Sequence, residues 1–171
     1  MKALLTLSCL TALLLGACTA PEQPEAVQEE ADTEALSIEG TYRLVSRVLP
    51  DGTEQRAPDV MGMLTYTQNY RNLNVLWKDA DGKFFSYSVV STYELTESEY
   101  SEKIIFSILN DQIGGQEITY DLSEPDSSVT VIVEEGRIEF DLPFDPVTVV
   151  FEGDKFTAEG SDFVDYWEKV Q

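Results

Sequence analysis

The residue types that most often carry out catalysis or bind metals are almost missing from this chain. Its 171 residues include no histidine and only two cysteines, Cys9 and Cys18. Histidine is the usual general base near neutral pH and the commonest metal ligand, and thiol catalysis needs a cysteine in the folded domain. Neither a glycine-rich phosphate loop nor a serine-nucleophile motif is present. The sequence therefore predicts a protein that is not an enzyme and has no cofactor and no metal.

Carboxylates are the one reactive group in excess. The chain has 32 Asp+Glu against 11 Lys+Arg, a net charge of -21. Asp79, Asp81 and Gly82 begin like a calcium loop, but no further oxygen ligands follow at the required offsets, which favours a hairpin turn. Glycosidases use a pair of carboxylates a few ångströms apart, but with this many acids such pairs would arise by chance and do not indicate that activity. The charge argues against binding nucleic acid and indicates a solvated surface, with docking of a basic partner as the alternative.

The N-terminus is typical of an export signal. After a basic start, residues 3–17 form an uncharged run of 15 residues that ends in two small residues before Cys18. A membrane helix needs roughly 20 apolar residues, so this run predicts a cleaved signal peptide. The letters LGAC at 15–18 resemble a bacterial lipobox, which implies cleavage before Cys18 and acyl chains such as palmitate on that residue. An ordinary secretory signal cut elsewhere is the alternative.

A tether follows the predicted lipidation site. Residues 19–35 contain six acids, no basic residue and no aromatic residue, so they cannot form a core and are predicted to be disordered. We expect a signal peptide over 1–17, a lipidated Cys18 and acidic tether over 18–35, and a folded domain over 36–171. By the sorting rule that the lipobox resemblance implies, Thr19 in place of Asp favours the outer membrane, on its periplasmic or its surface face.

From residue 36 onward, short runs of alternating apolar and polar residues are separated by turn residues, which is typical of an all-β domain. The alternation is clearest at 117–122 and 137–142. Residues 161–171 fit either a helix or a strand, and we favour a closing strand. An antiparallel meander must protect its edges, so we predict an up-and-down β-barrel of about 8–10 strands, with a β-sandwich as the alternative. The other predicted strands are 40–49, 63–67, 73–78, 84–95, 100–109, 129–134, 147–152 and 155–158.

Several motifs resemble bacterial lipocalin-like domains. The letters GTYRLVS at 40–46 and GMLTYT at 62–67 resemble the opening of that family, and YWEKV at 166–170 is similar to its last strand. TYEL at 92–95, followed by YSE at 100–102, is similar to its middle hairpin. The resemblance implies a small barrel that packs aromatic rings at its closed end and leaves a cavity at the other end.

Such a barrel would bind a small hydrophobic or lipid-like ligand in its interior. The alternative is a fully packed barrel that serves as a non-catalytic interaction or structural module of the cell envelope. Alternation along the strands predicts which side chains point inward, several of them aromatic rings with a polar tip. The candidate ligand-binding residues are Tyr42, Leu44, Trp77, Phe85, Tyr87, Tyr93, Phe106, Tyr120 and Phe140.

Overall fold

The computed structural model describes residues 36–170. The predicted signal peptide, the lipidation site at Cys18 and the acidic tether lie outside the described residues. Over the part that is described, no helix has the length and apolar character needed to cross a membrane.

Residues 36–170 are organised as β-strands, which confirms the all-β prediction. The segment 161–171, ambiguous from its sequence, contains the last strand. The strands are β1 Gly40–Val48, β2 Glu54–Gln55, β3 Val60–Tyr66, β4 Tyr70–Lys78, β5 Phe84–Leu95, β6 Glu99–Asp111, β7 Thr119–Asp121, β8 Asp126–Glu134, β9 Arg137–Asp141, β10 Thr148–Glu152, β11 Lys155–Glu159 and β12 Val164–Lys169.

Ten of these strands form a closed antiparallel barrel. Apart from the two short strands β2 and β7, each strand pairs with the next one along the chain, and β12 pairs with β1 to complete the ring. Strand β2 pairs with the end of β1, and β7 pairs with residues 107–109 of β6. Closure satisfies the backbone groups that an open sheet would leave at its edges. The sandwich alternative is therefore wrong.

The two ends of the barrel differ in how the strands are connected. Tight turns join the strands at one end, which we call the closed end: they span 67–69, 96–98, 135–136 and 153–154. Longer segments join them at the opposite end, which we call the open end: they span 49–59, 79–83, 112–125, 142–147 and 160–163. Binding residues often lie on long loops that a rigid scaffold holds in place.

Aromatic side chains fill the closed end. Tyr42 meets Phe156 edge to face with ring centroids 5.1 Å apart, and Tyr100 stacks on Phe140 at 4.3 Å. Ile38, which precedes β1, is buried in the same core and accepts a hydrogen bond at its carbonyl from the Tyr42 hydroxyl. Ring pairs of this kind each contribute about 0.5–1.5 kcal/mol beyond the area they bury. The closed end therefore contains a tightly packed hydrophobic core.

Candidate functional site

The open end contains a cavity of about 380 Å³. This volume lies in the lower part of the range of roughly 300–1,000 Å³ that small-molecule sites occupy. Most of its wall is apolar and comes from inward positions on neighbouring strands. Among the lining residues are Leu73, Val75 and Trp77 of β4, Phe85 and Tyr87 of β5, and Leu109 of β6.

One wall of the cavity is built around Arg47. Its guanidinium carbon lies 4.2 Å from the centre of the Trp77 ring and 4.3 Å from that of Phe163. Trp77 also stacks on Phe85, with centroids 4.0 Å apart. Nε and Nη2 of Arg47 donate to the two carboxylate oxygens of Asp165 at 2.7 and 2.8 Å. The bidentate ion pair balances the charge of Arg47, whose guanidinium also lies against two aromatic rings.

Arg71, which lines the cavity, belongs to a buried polar network. Nη1 of Arg71 donates to Oε1 of Glu102 at 2.9 Å, and the Ser91 hydroxyl donates to the same oxygen at 2.6 Å. The Tyr100 hydroxyl donates to Oε2 at 3.1 Å. Arg71 and Glu102 are only 4% and 2% exposed. Burial lowers the pKa of Arg71, but Glu102, Tyr66 and Tyr100 together raise it by more and leave a net rise, so the guanidinium stays charged.

Two donors in the cavity wall lack a partner. Among the described residues, neither Nε of Arg71 nor Nε1 of Trp167 has a hydrogen-bond acceptor, and both side chains line the cavity. A buried donor left unpaired costs about 1–3 kcal/mol, and both atoms are inaccessible to water, so each is a local cost to the stability of the fold. The Trp167 indole can lie here because β3 has glycine at position 62: a Cβ there would be 2.7 Å from Cη2 of the ring.

The connection between β9 and β10 brings a carboxylate to the same cavity. Leu142, Asp145 and Val147 from residues 142–147 all line it. Burial raises the pKa of Asp145, Arg71 lowers it and Glu102 raises it, with a net rise above the usual value of 3.8. The fold therefore favours the neutral form of Asp145 more than the unfolded chain does.

Replacing Asp145 with asparagine is expected to stabilise the protein near neutral pH. Because the folded-state pKa is raised, the stability linked to Asp145 is full below its unfolded pKa and is lost as the pH rises through the folded value. Asp145→Asn should therefore increase the unfolding free energy at about pH 7 and change it little at about pH 3. Urea denaturation at both pH values measures this. Asp81→Asn, in an exposed turn at the same end, is the control, and a loss of stability in Asp145→Asn at about pH 7 would contradict the interpretation.

The structure places seven of the nine sequence-predicted interior residues inside the barrel, in two groups. Trp77, Phe85 and Tyr87 line the cavity and stand next to one another on β4 and β5. A second group is buried in the packed core and does not line the cavity: Tyr42, Leu44, Tyr93 and Phe140. Only the first group is placed where it would touch a guest.

The inward positions predicted for Phe106 and Tyr120 are wrong. A register shift between β5 and β6 pairs Ser91 with Ile104 but Val90 with Phe106, so Phe106 lies opposite an outward residue. Tyr120 pairs with Ile108, which itself pairs with outward-facing Ser88, and it is 67% exposed. Both errors arise because strict alternation was assumed where the pairing of β6 decides the face.

The charged residues of the interior were not predicted as site residues. Arg71 shares the parity of Leu73, Val75 and Trp77, and Glu102 shares that of Tyr100. One opposite-sign charge on the apolar face of each of two strands is the signal that would have indicated a buried pair.

The arrangement is suited to non-covalent binding. The cavity combines apolar walls with two arginines, each of which is paired with a carboxylate. Over residues 36–170, the structure has no group of three or more side chains that could hold a metal ion. No protein-family model matches this chain, and no curated protein and no solved structure matches it either.

Proposed function

We propose that the barrel binds a small, mostly apolar molecule in the cavity at its open end. The observation that carries this proposal is the cavity itself, about 380 Å³ in volume, with Trp77, Phe85 and Tyr87 in its wall. Burying an apolar guest against such walls contributes about 25 cal/mol for each Å² removed from water. The packed closed end supplies the rigid support that a pre-formed site needs.

We further propose that the protein acts in the bacterial cell envelope as a lipoprotein anchored through Cys18, on the outer membrane. The support is the uncharged run at 3–17, the letters LGAC at 15–18 and the acidic stretch at 19–35. A cell that makes this chain should incorporate labelled palmitate into it, and Cys18→Ser should abolish the label. Label retained by the Cys18→Ser variant would overturn the anchor.

A titration with the uncharged dye N-phenylnaphthylamine tests the binding proposal. Its fluorescence should rise on addition of the protein and saturate, with a Kd on the order of 1 μM. Tryptophan emission should fall in parallel because Trp77 and Trp167 both line the cavity and the bound dye accepts their energy. The variant Trp77→Phe keeps an aromatic ring against Phe85 and provides the control, since it should still bind the dye but show a smaller fall in tryptophan emission. A dye signal that does not saturate would contradict the proposal.

The alternative function, an interaction module of the envelope, is favoured by one feature of the outer surface. Ile118, Tyr120 and Leu122 are all exposed, and Leu122 is 73% exposed. Exposed apolar side chains clustered in one short segment can form part of an interaction surface. Photo-crosslinking from position 120 in intact cells tests it: one discrete adduct, lost in Leu122→Ser, would support a partner there, and the absence of any adduct would contradict it.

A further inference from the structure

The cavity contains carboxylates whose charge no basic side chain balances. The two arginines of its lining each already form an ion pair with a carboxylate: Arg47 with Asp165, and Arg71 with Glu102. Asp145 and Asp162 also line the cavity, and neither forms an ion pair among residues 36–170. When all these groups are ionised, the charges of Asp145 and Asp162 therefore remain uncompensated.

Of these two carboxylates, Asp145 is the one held inside the cavity. It is half-buried, whereas Asp162 is exposed. Burial, and after it the charge of Asp145, raises the pKa of the Tyr87 phenol, so the carboxylate lies near that ring. Burial raises the pKa of Asp145 itself, and the charges that act on it next are those of Arg71, which lowers it, and Glu102, which raises it. Asp145 thus lies among the aromatic and charged side chains of the cavity.

The Asp145 carboxylate is accessible to a guest and has no partner in the part of the chain that the structure describes. The side-chain atoms there that are fully buried without a partner belong to Gln55, Arg71 and Trp167, and none belongs to Asp145. No hydrogen bond contributes to its pKa. Folding has therefore already removed part of the hydration of this carboxylate, so a cation that binds beside it has less water to displace.

The cavity wall already holds one cation of the protein itself. The guanidinium carbon of Arg47 lies 4.2 Å from the centre of the Trp77 ring and 4.3 Å from that of Phe163, and the group pairs with a carboxylate. Aromatic rings attract cations at such distances, and alkylammonium groups are recognised in this way. Tyr87 and Asp145 provide the same two groups, a ring and a carboxylate, and in their case the carboxylate has no basic partner.

The remaining wall is suited to an apolar chain. Leu73, Val75 and Leu109 line the cavity on three neighbouring strands. An uncharged amphiphile would gain these apolar contacts alone. A fatty-acid anion would add a further negative charge to a cavity whose arginines are both already paired. A cationic head group gains the apolar contacts of its chain and the attraction of Asp145 as well.

We propose, resting on the proposed binding function, that the cavity selects amphiphiles with a cationic head group, such as a primary alkylammonium, over uncharged and anionic amphiphiles with the same apolar chain. The ammonium group pairs with Asp145 near the ring of Tyr87, and the chain lies along the apolar wall. Arg71 does not exclude this cation, because Nη1 of Arg71 donates to Glu102 at 2.9 Å and the two charges balance.

Three probes with the same alkyl chain and different head groups test this selection. Decylamine, decanol and decanoate are titrated at neutral pH and low ionic strength into protein that holds N-phenylnaphthylamine, and the loss of dye fluorescence is followed. Attraction of decylamine to the acidic outer surface displaces no dye from the cavity and gives no signal. Decylamine should displace the dye at a concentration at least about threefold below that of decanol, and decanoate should be the weakest competitor. A smaller preference for decylamine, or a stronger competition by decanoate than by decanol, would overturn the proposal.

Asp145→Asn shows whether this carboxylate is the cause. The variant should still take up the dye, should bind decanol within about twofold of the unmodified protein, and should lose the preference for decylamine. Asp81→Asn makes the same charge change in an exposed turn at the same end of the barrel, outside the cavity, and should keep that preference. A preference that survives in Asp145→Asn, or one that is lost equally in Asp81→Asn, would show that Asp145 does not select the guest.

The failure of this proposal is distinguishable from that of the binding function. If the protein takes up N-phenylnaphthylamine but decanol or decanoate displaces it as well as decylamine does, binding stands and the selection for cations is wrong. If the dye is not taken up and none of the three probes changes tryptophan emission, the binding function is wrong, and the proposal falls with it.

Discussion

Replacing Glu102 with alanine is expected to lower the unfolding free energy by about 3–5 kcal/mol, because it leaves the guanidinium of Arg71 buried with no counter-charge. The same substitution also removes the acceptor for the hydroxyls of Ser91 and Tyr100. Each of these hydroxyls would then be a buried group without its acceptor, which adds to the loss. Chemical denaturation followed by circular dichroism measures the effect.

Two further variants identify the cause of that loss. Glu99→Ala removes an exposed acid from the same strand and should change stability by less than about 0.5 kcal/mol. Replacing Arg71 and Glu102 together by leucine removes both buried charges and should recover most of the stability. A Glu102→Ala variant within about 1 kcal/mol of the unmodified protein would show that the pair is not buried as described.

Filling the cavity is expected to abolish ligand uptake while the barrel stays folded. Val75 and Ala158 both line the cavity, so the double variant Val75→Phe and Ala158→Leu places additional side-chain atoms in the space that a guest would occupy. Because empty space is available, the usual cost of overpacking, about 1–3 kcal/mol, should be largely avoided. Uptake of N-phenylnaphthylamine should fall below detection, and the unfolding free energy should change by less than about 1 kcal/mol.

The matched control adds a ring on the other side of the sheet. Val150 lies between the buried residues Val149 and Phe151 on β10 and therefore faces outward. Val150→Phe should leave dye uptake unchanged. If the cavity-filling variant folds and still binds the dye with unaltered affinity, the guest lies somewhere other than the cavity at the open end.

Alternation along the chain was sufficient to predict the barrel. Of the two runs that alternate most clearly, 137–142 contains β9, whereas 117–122 contains only the short, exposed strand β7. The closing strand at the C-terminus was favoured because Val164, Tyr166 and Val170 alternate, although the same segment fits a helix. The structure contains that strand but turns Asp165 and Trp167 inward and leaves Tyr166 and Val170 exposed. In such segments the alternating pattern and the requirement for backbone hydrogen bonds favour the same structure. The sequence alone is therefore enough to predict a strand there.

The site could be predicted only in part, because two irregularities of pairing decide which residues enter it. A register shift between Leu44 and Ser46 turns Arg47 inward, where strict alternation would place it outside. A second shift, opposite Val90 and Ser91, turns Phe106 outward. Neither shift has a mark in the local sequence, since a bulge is set by the partner strand. Arg71 and Glu102 were missed for another reason: neither strand alone shows that the opposite charge lies within hydrogen-bond distance, and burial requires both.

Native mass spectrometry of the protein, purified without detergent from cells that make it and compared with the denatured mass, tests most directly whether the open end of the barrel carries a small molecule. We predict a reproducible added mass that disappears on denaturation and is absent from the Val75→Phe and Ala158→Leu variant. A bare mass, with no added mass after amphiphiles such as decylamine and decanol are offered in excess, would contradict the account.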